Sequence, residues 1–255
     1  MLDLILILAV VGTFLIAGTV KGVIGMGLPS VALALLTLTV DLTSAMALML
    51  VPSLVTNIWQ AAVGGHGIAI LRRIWPFLIT AFVTVWLGAA ALTRVDLALL
   101  TVLLGVLLAS YALVSLGGWR VSISRHNEGW VGALVGVVNG TVTGMTGAFV
   151  MPSILYLQAI GLTKDALIQA MGLVFSISTV ALAIALQGNG LLTADLGVLS
   201  LAALVPALIG MAAGQRIRRQ LSEARFRRVF FIGLLLLGLF IIVSAVGDIG
   251  AVPEG

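Results

Sequence analysis

The chain has 255 residues, 61% of them hydrophobic and 9% charged, with a mean hydropathy of +1.26. Apolar side chains in that proportion exceed what one soluble core buries, so a soluble globular protein is excluded and helices stacked across a bilayer are expected. The formal charge of +4 does not signal nucleic acid, because the arginines fall between apolar runs; the lack of cysteine removes disulfides, thiolate catalysis and cysteine-ligated metal.

The opening stretch MLDLILILAVVGTFLIAG carries Asp3 and no basic leader, so it is expected to stay as the first membrane segment rather than leave as a signal peptide. Ten apolar runs then read as five and five: 4–20, 28–40, 43–63, 74–92 and 97–116, followed by 129–147, 148–161, 166–187, 194–214 and 229–247. Residues 28–40 rise only about 20 Å against an apolar core of about 30 Å. The second run of each group therefore either forms a hairpin with the run before it or spans with help from a glycine break, and both alternatives stay open.

The polar stretch GGWRVSISRHNE, 117–128, divides the chain into a first membrane repeat (1–116), a cytoplasmic linker and a second membrane repeat (129–255). Across it GTVKGVIGMGLPS, Gly18 to Ser30, returns as GTVTGMTGAFVMPS, Gly140 to Ser153. At a shift of 122 residues Gly18, Gly22 and Gly25 meet Gly140, Gly144 and Gly147, and Gly88 meets Gly210. Duplication explains such matching better than chance. Each copy ends in proline and serine, where a new helix is expected to start and aim its N–H groups at the break.

Lys and Arg in short loops stay cytoplasmic. Counting spans back from QRIRRQLSEARFRR places Lys164, the linker with Arg120 and Arg125, and a loop with Arg72 and Arg73 inside. Asp195, Arg94, Asp96, Asp41 and Asp3 then fall outside, and both termini are expected to be external. The Arg72 loop is inside while its counterpart near Asp195 is outside, so the expected fold is an all-α polytopic bundle of two inverted repeats with interrupted or short helices. That architecture is the signature of secondary transporters.

Lys21, at the end of the first apolar run, is the one basic residue placed in the membrane. Either it snorkels to the outer interface or it is a fixed positive charge facing an anion, with Thr143 as its partner in the second copy. Gly22, Gly25, Gly27, Gly144 and Gly147 are candidates to open backbone to the same anion, although small residues spaced by four equally let helices pack closely. Asn139, Thr141, Thr143 and Thr146 would donate hydrogen bonds, as would Asn57 and Gln60, three apart on one helix face; bonding back to their own helix and interhelical bonding are the rival roles. His66, in GGHG, is assigned to a loop turn. Asp41, Asp96, Asp165 and Asp195 all sit at loops between the runs or at their ends, no His and carboxylate cluster marks a metal, and no phosphate-binding glycine loop is present, so neither metal nor cofactor is expected.

The doubled glycine motif ending in proline, the Asn-Ile-Trp-Gln stretch at Asn57 to Gln60 and GGHG before the basic pair together resemble the sulfite exporter TauE/SafE family of bacterial membrane proteins. The resemblance covers nearly the whole chain. It implies about eight helices in the inner membrane and export of sulfite or organosulfonates, with the glycine motifs, Asn57 and Gln60 as the places to look for a site. Here the second copy has Thr146, Ala148 and Phe149 where a glycine run would be expected. The expected mechanism is alternating access for a small anion held between the two breaks. The alternatives are an anion channel, a carrier for another anion, or an intramembrane hydrolase using Ser30 or Ser153 with His66. The lipid bilayer is the other expected partner, and the oligomeric state stays open.

Overall fold

A computed structural model describes residues 4–119, 121–218, 220 and 222–250. Asp3, Arg120, Arg219 and both chain ends lie outside the described residues, and with them the expectations about the termini. Ten α-helices follow in order: α1 (Leu4–Ile24), α2 (Leu28–Leu36), α3 (Leu42–Ala62), α4 (Gly67–Ala89), α5 (Leu97–Gly117), α6 (Glu128–Thr146), α7 (Ser153–Ala159), α8 (Lys164–Gly188), α9 (Ala194–Arg218) and α10 (Glu223–Gly250). A 3-10 turn, Ala90–Thr93, extends α4. Among the described residues seven helices, all but α2, α6 and α7, are long and apolar enough to cross a membrane.

The ten apolar runs thus each become a helix. The proline breaks fall as expected, with Pro29 in the first turn of α2 and Pro152 immediately before α7. One expectation is corrected: Arg72 and Arg73 are not in a loop but within α4, which begins seven residues before its apolar run. The added residues Ile68, Ala69, Ile70 and Leu71 are themselves apolar, and arginine is a good helix former, so the helix runs on through Arg72 and Arg73.

The helices form two compact units, one made of residues 1–52, 95–118 and 193–255, the other of 53–94 and 119–192. Each draws on both sequence halves, because the glycine faces of α1 and α6 pack across the halves. In the first unit α1 packs on α9, and a side chain at Gly18 or Gly22 would collide with the carbonyls of Ala207 and Met211. Gly210 and Gly214 return the contact to Leu15 and Thr19. In the second unit α6 packs on α4, with Gly140 and Gly144 against Ala81 and Val85, and Gly88 against Thr141. The pattern recurs with its register slid by one helical turn, since Ala207 corresponds to Val85 and Gly140 meets Ala81 instead. Elsewhere in the first unit α5 packs on α10, where Tyr111 meets Phe231 edge to face at 5.1 Å. In the second, α4 also packs on α8.

Candidate functional site

Within the second unit, α6, the break at 147–152 and α7 make a hairpin whose two ends lie together. The Tyr156 hydroxyl donates to the Glu128 carbonyl at 3.1 Å, and the Ile123 N–H donates to the Ala159 carbonyl at 2.9 Å. Arg73 forks onto the Glu128 carboxylate at 2.8 and 2.7 Å and also donates to the Ile160 carbonyl. That charge-assisted bond from Arg73 holds the Glu128 carboxyl below its ordinary value of 4.5. The chain therefore enters and leaves this hairpin at one end.

The polar centre of the hairpin is Asn139. Its Oδ1 accepts the Ser153 N–H at 3.2 Å, so the first N–H of α7 is already occupied. The same bond fixes the amide orientation and turns Nδ2 away from Ser153. One turn along the same face stands Thr143. Asn139 and Thr143 are both 0% exposed, and neither Asn139 Nδ2 nor Thr143 Oγ1 has a hydrogen-bond partner. The other hydroxyls of α6 bond back to the carbonyl four residues earlier. Thr141 does so to Val137 at 2.9 Å and Thr146 to Val142 at 2.8 Å, and Thr146 Oγ1 also accepts the Ala148 N–H. Among the α6 threonines the structure thus singles out Thr143, whose hydroxyl is buried and unspent. Gly147, at φ 72, ends α6.

Asn57 is fully buried on α3. Gln60 is engaged differently: its Nε2 donates to the Ile168 carbonyl at 2.8 Å, while Gln169 Nε2 donates to the Ala61 carbonyl, also at 2.8 Å. The two glutamines exchange bonds between α3 and α8, where Gly172 lets the backbones touch. Gln169 Oε1 accepts the His66 N–H at 2.9 Å and so holds the GGHG turn. His66 itself is exposed, and the Ser153 hydroxyl, spent on the Phe149 carbonyl at 2.6 Å, is buried.

In the first unit Lys21 lies in the last turn of α1 and is only 5% exposed, so its side chain is enclosed by protein rather than extended to an outer surface. Gly22 is spent on the contact with α9. Gly25 and Gly27 take left-handed conformations, φ 78 and 100, between α1 and α2. The sequence reading missed Ser53, which is 0% exposed with an Oγ that makes no hydrogen bond. A serine immediately after a helix-interior proline was the available signal. Among the described residues no cluster of His, Cys, Asp or Glu could hold a metal ion.

The family model for the sulfite exporter TauE/SafE matches residues 10–241. No curated protein and no solved structure matches the chain.

Proposed function

The chain belongs to the sulfite exporter TauE/SafE family, so it is a multi-pass membrane transporter and not an enzyme, and on that premise we propose that it exports sulfite or an organosulfonate across the bacterial inner membrane by alternating access. The observation that carries this is the pair of buried, unspent donors Asn139 Nδ2 and Thr143 Oγ1 on one face of α6. A buried donor with no acceptor destabilises a protein, and a sulfur oxyanion offers several acceptors. Hydrogen bonds to a charged partner are also stronger than those between neutral groups.

In the first unit the enclosed ammonium of Lys21 sets the sign of charge that is favoured. Gly25, Gly27 and Gly147 are the backbone positions that border the breaks, while Gly22 and Gly144 act by bringing helices close. Asn57 remains a proposed ligand. The two repeats are proposed to be inverted, which the recurrence of the glycine faces in α1 and α6 supports. The ends of the α6–α7 hairpin, with Arg73, the linker and Lys164, are assigned to the cytoplasmic side by the excess of basic residues there.

The test is sulfite flux in proteoliposomes. Saturable flux is expected, with Thr143→Val raising the half-saturation concentration about tenfold or more, as loss of one hydrogen bond to a charged group implies. Lys21→Ala should reduce flux of every anion tested. Flux that does not saturate, or unchanged transport in both variants, overturns the proposal.

A further inference from the structure

Ser53, like Thr143, departs from the usual habit of helical hydroxyls in this chain. Thr19, Thr84 and Thr179 each donate to the carbonyl four residues earlier, all at 2.7 Å. Ser53 is fully buried and does not. The preceding residues show how α3 differs. Pro52 has no N–H, so the Leu48 carbonyl loses the donor that a helix would supply. Ser200 of α9 seats its side chain there instead: its Oγ donates to the Leu48 carbonyl at 2.8 Å and accepts the Val51 N–H at 3.1 Å. A side chain inserted into the backbone ladder is one of the few things that locally reshape a helix. The insertion lies immediately before Ser53.

We propose that the Ser53 hydroxyl is a substrate contact, donating to an oxygen of the transported sulfur anion, and that Pro52 with Ser200 keeps it off its own helix. The assignment rests on the exporter reading above. Ser53 and Asn57 lie one turn apart on one face of α3, a hydroxyl and an amide. Asn139 and Thr143 repeat that pairing in reverse order on α6. All four belong to the second unit and are fully buried. A hydroxyl kept for structure would have taken the carbonyl beside it; one kept for a ligand is left unspent and weakens the unliganded protein.

Stability and binding are therefore expected to move in opposite directions. Purified Ser53→Ala should unfold at the same or a higher temperature than wild type without ligand, while the half-saturation concentration for sulfite rises about tenfold or more. Ser200→Ala should also raise it. In a Pro52→Ala background that effect should shrink, because residue 52 then supplies the N–H that Leu48 lacks. A lowered unfolding temperature in Ser53→Ala with unchanged sulfite affinity would overturn the assignment. Thermal shift and flux with sulfite, sulfoacetate and taurine on wild type and Thr143→Val separate the two ideas. No response in wild type to any of them removes the exporter reading and this inference together. A wild-type response lost in Thr143→Val but kept in Ser53→Ala removes this inference alone.

Discussion

The same side-chain chemistry serves two purposes in this chain, and only the partners tell them apart. Gln60 and Asn57 share a face of α3, yet Gln60 spends its amide on the Ile168 carbonyl, answered by Gln169 on Ala61. Removing Gln169 would leave the Ala61 carbonyl and the His66 N–H without their present partner. Gln169→Ala is expected to lower stability by about 1–3 kcal/mol in thermal or denaturant unfolding, with Gln60→Ala at the lower end of that range. Sulfite affinity should stay unchanged in both, and a Gln60→Ala variant with full stability and weakened transport would return Gln60 to the ligand set. None of this was legible from spacing. Gln60 and Ile168 are 108 residues apart, as are Gln169 and Ala61, and a single polar pair at that distance has no periodicity to read.

Helices were the legible scale, because an apolar run bounded by Gly, Pro or charge specifies a membrane helix almost by composition. The starts of α2 and α7 follow from Pro29 and Pro152. The partners of the glycine faces do not follow, since a small residue marks close approach without naming what approaches. The spacing of Gly140 and Gly144 allowed either an open break or a packed face, and the backbone of α4 now fills that face. Gly144→Val should therefore force α6 away from Val85 and Ala89, costing about 1–3 kcal/mol or more by overpacking. Gly12→Ala is the matched control within α1, because nothing lies within 4 Å of the added methyl. It should stabilise by up to about 1 kcal/mol through helix propensity. Unfolding of the two variants in one detergent compares them directly, and an unaffected Gly144→Val would mean that α6 is not held against α4 in the folded protein. Arg73 and Glu128, 55 residues apart, tie the two ends of the α6–α7 hairpin to α4. Positive-charge bias had placed both at one membrane side without indicating that they touch.

At the scale of the whole molecule, the balance of charge decides what can drive transport. Lys21, at the end of the first apolar run, is the one basic residue placed in the membrane, and Asp41, Asp96, Asp165 and Asp195 sit at the ends of runs. Among the described residues the one buried carboxylate, Glu128, lies in the first turn of α6 and is paired with Arg73, so a relay of carboxylates carrying a proton with the substrate is not expected. A singly charged sulfur anion would then cross as net negative charge, and an inside-negative potential contributes about 2.3 kcal/mol per 100 mV toward its exit. Converted at 1.4 kcal/mol per decade, that is about fiftyfold in the equilibrium distribution. Proteoliposomes clamped with potassium and valinomycin should move hydrogen sulfite down the imposed potential by about that factor, and sulfoacetate, a dianion, by about its square. Reversing the potential should reverse the net flux, because a carrier without its own energy source runs both ways. Taurine, a zwitterion with no net charge, should respond little to the potential if it is carried at all. Accumulation that follows an imposed pH gradient while ignoring the potential would instead require a proton acceptor. It would point to the enclosed ammonium of Lys21 as a titrating group rather than a fixed charge, and Lys21→Arg, which keeps the charge but does not give up its proton, would then abolish the coupling.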